Sequence, residues 1–345
     1  MTPKHLSMLI SSPGQAFVAL GRHGPVLLVL SLVLGTAAPT LAAGAHAILP
    51  ISAFLLTLGS FLTAGLSPRE NAVRLRLTMA TVAWAGLGVP LVTACGLTLA
   101  HLGPDTQTGV LLSVLAPPIG SAAAIAAILG WQPRLALLVS IILTILAPLS
   151  MPLLAKMLGS DVTLDMYFIA KRLTLIIGAA GATAAIVLRC RKQTAWVLPN
   201  NGAAAGVAVI GLVIVGLATT DGIRASWHMD AHLFLEYALA AISMNVVITL
   251  LSAGLFSATG FKNACTVGLV SGNRNVTLAW AATGGTLSTF TEAYIAACVI
   301  PILSLPLIIK GVFALLRTLR ARPAVAHPLH KEPDYIPVRT RMPKF

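Results

Sequence analysis

Charge is scarce in this sequence. Charged residues make up 10% of the 345-residue chain, where a soluble domain carries about 25%. A water-facing surface cannot be dressed with so few charges, which excludes a soluble multi-domain enzyme. Aromatic residues are also few, at 6%. Cys95, Cys190, Cys265 and Cys298 lie far apart with no Cys-x-x-Cys pair, so neither a disulfide framework nor a zinc site is indicated. There is no Gly-rich phosphate loop, and ATP-driven chemistry has no support. The histidines never form a metal pair on a membrane face. His228 and His232 are four apart but fall at the edge of an apolar run. Acids are outnumbered, with 10 Asp and Glu against 23 Lys and Arg. In a soluble protein a net charge of +13 would suggest nucleic acid; here no nucleic-acid partner is expected, for reasons of placement given below.

What the chain has in abundance is apolar length. Hydrophobic residues are 57% of it and the mean hydropathy is +0.89. A membrane-crossing helix needs about 20 apolar residues. Ten such segments are read, at about 24–43, 46–65, 77–102, 109–130, 135–158, 166–188, 202–220, 232–256, 263–284 and 290–315. With the N-terminus inside, the inner loops and tail hold 18 Lys and Arg, and the outer loops hold 4 (Lys156, Lys171, Arg172 and Arg224). Seven of the ten acids fall outside. This bias places both termini in the cytoplasm. Residues 1–23 read as a cytoplasmic N-terminal segment without a cleavable signal, 24–316 as the membrane domain, and 317–345 as a disordered, basic, Pro-containing tail. The reading is an integral protein of a bacterial inner membrane, in contact with lipid; oligomeric state is open.

Ten segments divide into five and five, about 24–158 and 166–315, and an odd number per half makes any repeat inverted. The fourth and ninth segments, equivalent in the two halves, are both interrupted. The fourth carries Ala116-Pro117-Pro118-Ile119-Gly120-Ser121. Two prolines remove two backbone donors and Gly120 adds freedom, so a continuous helix is not expected there. The ninth carries Ser271-Gly272-Asn273-Arg274-Asn275 between apolar stretches too short to cross alone. An Arg at the centre of a span costs at least roughly 2.5–3.5 kcal/mol, so Arg274 needs water, a carboxylate, carbonyls or a ligand. Asn245, Ser243 and Thr249 of the eighth segment read as hydrogen-bonding glue between helices.

These two stretches resemble the bile acid:sodium symporter family, over about residues 24–315. After Ala116-Pro117-Pro118-Ile119-Gly120-Ser121 come Leu135-Ala136-Leu137 and Leu143-Thr144-Ile145-Leu146-Ala147-Pro148-Leu149. These are similar to the family's Pro/Gly-rich break, Ala-Leu-Ser run and Leu-Ala-Pro-Leu close. Gly272-Asn273-Arg274-Asn275 is similar to its Glu-x-Gly-x-Gln-Asn break. The resemblance implies an all-α fold of ten transmembrane helices in two inverted five-helix repeats, with the fourth and ninth broken and crossed. It also implies transport of organic anions, usually with sodium. The sequence departs at the implied sodium ligands. The Ser-Asn of the fourth segment falls on Ala122-Ala123 and the Ser and Thr of the fifth on Ala136 and Ser140. The Glu and Gln of the ninth fall on Val270 and Arg274.

The expectation is therefore a symporter-like secondary transporter of a small organic anion, not an enzyme, with degraded sodium sites. Candidate substrate residues are Pro117, Gly120, Ser121, Asn273, Arg274, Asn275 and Thr277. Ser140 and Asn275 are the residual ion ligands; no cofactor and no bound metal are expected, and sodium is a doubtful co-substrate. The alternative is a transport-inactive relative serving as a membrane receptor or scaffold. A rival role for Arg274 is purely structural, with its charge held by carbonyls.

Overall fold

A computed structural model describes residues 13–66, 75–100, 102–159 and 165–320. Residues 1–12 of the expected cytoplasmic lead and 321–345 of the expected disordered tail lie outside the described residues. Helix is the dominant state and no strand forms among the described residues, as lipid demands of a backbone that must satisfy its own polar groups.

The helices, in chain order, are α1 (Pro13–Arg22), α2 (Gly24–Ala37), α3 (Pro39–Ala47), α4 (Leu49–Leu66), α5 (Leu75–Ala83), a π-helical turn (Trp84–Gly88) and α6 (Val89–Ala100). They continue with α7 (Pro104–Leu115), α8 (Ala122–Ile128), α9 (Pro133–Met157), α10 (Met166–Arg189), α11 (Arg191–Thr194) and α12 (Asn201–Met229). The last four are α13 (Ala231–Leu255), α14 (Phe261–Gly272), α15 (Val276–Thr283) and α16 (Thr289–Arg320). The chain divides into a unit that reaches Pro306 and a second, Leu307–Phe345.

Six helical runs are long and apolar enough to cross a membrane: Leu49–Leu66, Leu75–Ala100, Pro133–Met157, Met166–Arg189, Asn201–His228 and Ala231–Leu255. Leu75, Leu99, Leu149, Leu175, Leu239 and Leu250 are exposed on these runs. Rows of large apolar side chains facing outward suit lipid as solvent, and the chain is an integral membrane protein. Of the remaining expected segments, the first, fourth and ninth are interrupted, and the tenth lies within the continuous helix α16. The expected first span, 24–43, is broken at Ala38, where Pro39 begins a new helix without an N–H to continue the old one. The fourth and ninth segments are broken at the stretches singled out in the sequence, between Leu115 and Ala122 and between Gly272 and Val276.

Lipid tails are as apolar as leucine, so helices here associate through close packing and not through expulsion of water. α12 is the hub, packed against α1, α2, α3 and α4. Its glycines permit the approach. A Cβ on Gly206 would collide with the Phe17 carbonyl of α1, and one on Gly211 would lie 2.8 Å from the Ser52 carbonyl of α4. The apolar lead thus docks through backbone contact, as a helix that composition alone does not reveal. Several buried hydroxyls fold back on their own helices, as Ser31 to the Leu28 carbonyl at 2.7 Å and Thr57 to the Ala53 carbonyl at 2.8 Å, and so cost the bilayer interior little. α13 packs on α14, where Gly268 and Gly272 face Thr249.

Gly206→Ala should lower the thermal midpoint of the detergent-purified protein, by the equivalent of about 1–3 kcal/mol of overpacking. Gly96→Ala, whose Cβ meets nothing within 4 Å, should leave the midpoint unchanged or raise it; a thermal-denaturation assay on the two variants decides.

Candidate functional site

The two breaks meet. Pro118 and Arg274 form an isolated antiparallel bridge. The Ile119 N–H donates to the Asn273 carbonyl at 2.9 Å, and the Asn275 N–H donates to the Pro117 carbonyl at 2.7 Å. Each interrupted segment therefore supplies backbone partners that the other lost. This is the accounting a buried backbone requires. Pro117 and Pro118 cannot donate, so the first break donates only through the Ile119 N–H, and the Asn275 N–H of the second break serves the Pro117 carbonyl.

Arg274 completes that exchange. It is only 4% exposed. Its Nε donates to the Ser271 carbonyl at 2.7 Å, Nη1 to the Ala116 carbonyl at 3.3 Å and Nη2 to the Ala85 carbonyl at 2.7 Å. Each acceptor has a local reason to be short of a donor. The Asn275 N–H, which would serve Ser271 in an unbroken helix, is engaged with Pro117. Ala116 ends α7 where the prolines begin. Ala85 lies in the π turn, where the Val89 N–H returns to the Trp84 carbonyl. The next residue, Pro90, has no N–H to give.

The neighbouring asparagines are also committed. Asn275 Oδ1 caps α15 by accepting from the Leu278 N–H at 3.2 Å. Asn273 Nδ2 donates to the Leu269 carbonyl at 3.2 Å. The Gly272 carbonyl accepts from Asn245 Nδ2 at 2.9 Å, which is the glue role expected of Asn245. Thr277 is buried at the start of α15. Gly120 packs on α4, where a Cβ would strike Ser60. Ser121 precedes α8 without a capping side-chain bond. The hydroxyls of Ser140 and Ser271 and Oδ1 of Asn273 are buried without a hydrogen-bond partner among the described residues. No group of three or more His, Cys, Asp or Glu that could hold a metal occurs among the described residues.

Pro117, Asn273, Arg274 and Asn275 are thus brought together at the crossing, whereas Gly120 turns toward α4. The crossing is nearly filled. The space beside Arg274, lined also by Ser113, Asn245 and Tyr294, is about 30 Å³. A larger cavity of about 370 Å³ lies at the far end of α15, lined by His46, Pro50, Arg172, Trp280, Gly284 and Glu292 among others. From sequence, Arg172 and Glu292 count only as loop charges. The available signal is their position at the ends of apolar runs on the side where cations are rare. Trp280 is buried and forms the wall; its Nε1 donates to Glu292 Oε1 at 3.4 Å and its ring lies 5.1 Å from that of His46. His46 Nδ1 pairs with Asp221 at 3.1 Å, joining α3 to α12.

Arg274→Ala should strand three carbonyls, at about 1–3 kcal/mol for each buried group left unpaired, and drop the thermal midpoint sharply. Arg274→Lys should fall between, because an ammonium cannot reach three divergent acceptors with the geometry of a planar fork; thermal denaturation in detergent orders the three proteins. No protein-family profile matches the chain, and no characterised protein matches it in sequence.

Proposed function

We propose that the chain is a secondary transporter that moves a small organic anion by alternating access, built from two inverted five-helix halves. The observation that carries this reading is the hydrogen-bonded pair of breaks at Pro117–Pro118 and Asn273–Asn275. An unbroken helix satisfies its own backbone in lipid. Two interruptions that repair each other, at equivalent positions of the two halves, fit the broken-helix architecture in which transporters bind substrate. The Lys and Arg bias supports cytoplasmic termini and a bacterial inner-membrane setting. In that orientation the cavity of about 370 Å³ opens toward the outer side, and its size falls in the usual range for small-molecule sites, about 300–1,000 Å³.

Transport in this proposal runs without sodium. The carbonyls of Ser271, Ala116 and Ala85 surround a guanidinium that is already held among them. That cation is fixed to the chain. A second positive charge beside it would be repelled by about 4 kcal/mol at 4 Å and an effective dielectric of 20. Uniport or exchange follows.

The test is counterflow of radiolabelled pyruvate, succinate, 4-hydroxybenzoate and 4-aminobutyrate into proteoliposomes, in sodium or choline media. The expected result is protein-dependent accumulation of at least one compound, at the same rate in both media. No flux above protein-free vesicles would favour a receptor or scaffold. Saturable, strict sodium dependence lost in Ser140→Ala would overturn the sodium-free mechanism.

A further inference from the structure

The cavity beside α15 holds charges of both signs that do not neutralise each other. Arg172 enters from α10 and Glu292 from α16. No ion pair joins Arg172 to Glu292 among the described residues, so the two line a common space without pairing. Arg172 makes no hydrogen bond to any described residue; its guanidinium lies 5.2 Å from the centre of the Phe168 ring. Glu292 accepts from Trp280 through Oε1, and Oε2 has no donor among the described residues.

The backbone at the end of α15 leaves room for Arg172 in this place. Gly284 ends α15 in the left-handed region, at φ 62°, and a Cβ there would collide with the Arg172 guanidinium. Glycine is thus required both for the turn and for the close approach of the cation. The C-terminal end of α15 is also the negative end of its helix dipole, which favours a cation beside it. On the other side, Trp280 Nε1–H donates to one oxygen of Glu292, a residue that lines the cavity, and leaves the other oxygen without a donor among the described residues.

A plain anion entering this space would gain from Arg172 and be repelled by Glu292. A plain cation would meet the reverse. A molecule with both charges gains from both, and its apolar body can lie along Trp280 and Pro50. We propose that the cavity is a binding site for a small zwitterion, an amino acid of short chain, with its carboxylate on Arg172 and its ammonium on Glu292. This rests on the transporter reading only in making the zwitterion the carried molecule, whose carboxylate is its anionic group; as a binding site it stands on the cavity alone.

The experiment is isothermal titration of the full chain, purified in detergent, with glycine, β-alanine and 4-aminobutyrate, each against the carboxylate and the amine of matched length. At least one of the amino acids is expected to bind about tenfold or more tightly than both of its matched controls. Glu292→Gln keeps an oxygen for Trp280 and is expected to erase the preference over the carboxylate. Gly284→Ala, which displaces Arg172 without altering any charge, is expected to weaken the amino acid and the carboxylate alike. Equal binding of acid and amino acid, a preference that survives in Glu292→Gln, or no binding of any amino acid to folded protein would overturn the site. Uptake of the same compounds into proteoliposomes separates the two proposals. Binding without uptake upholds the site and overturns transport, whereas uptake of simple carboxylates with no preference for the amino acid does the reverse.

Discussion

The guanidinium of Arg274 sits where three interrupted backbones come together, and much of the interior is arranged around it. Two breaks in membrane-buried helices, and a π turn closed by Pro90, leave carbonyls that lipid cannot satisfy. Arg274 donates to one carbonyl from each of the three places. The cost of burying the charge and the cost of leaving the carbonyls bare therefore offset each other. Neither the arginine nor the breaks would be tolerable alone. The backbone exchange between Pro117–Ile119 and Asn273–Asn275 then fixes the crossing. Asn245 and the close fit of Gly268 and Gly272 against Thr249 fix α14 to α13.

That arrangement separates structure from recognition. A crossing closed by backbone bonds and a fixed cation has little room for a ligand, about 30 Å³. The space and the uncommitted charge lie instead at the end of α15, where the wall Trp280 leads from the crossing to the cavity. α15 has the crossing at its N-terminal end and Gly284 against Arg172 at its C-terminal end. In the transporter proposal a shift of this eight-residue helix is the shortest mechanical route between the two.

The breaks are legible in the sequence because their causes are local. Consecutive prolines and a polar run inside an apolar segment cannot continue a helix, whatever surrounds them. The need of Arg274 for compensation is equally plain from sequence, but its partners are not. Ala85 is nearly 190 positions away and becomes an acceptor only through a π turn, which no periodicity announces. The docking of α1 on α12 is hidden for a related reason. It depends on backbone-to-backbone approach at Gly206, and glycine is frequent in apolar membrane helices whether or not another backbone lies against it. Arg172 and Glu292 look like ordinary loop charges because a cavity is a property of several helices at once. The first apolar segment reads as continuous by hydropathy although Pro39 lies inside it; the missing N–H of a single proline outweighs the apolar character of its neighbours.

The claim that Arg274 is the built-in partner of stranded carbonyls is tested most directly by a double-mutant cycle with Pro90. In Arg274→Leu the Ala85 carbonyl loses its donor, and Pro90→Ala returns an N–H at the position a π turn would use. Thermal stability of the two single variants and the double variant should show Pro90→Ala rescuing part of the loss in Arg274→Leu, with a coupling of about 0.5–3 kcal/mol as for residues that share a partner. Strictly additive effects, with Pro90→Ala shifting stability equally in both backgrounds, would contradict the account.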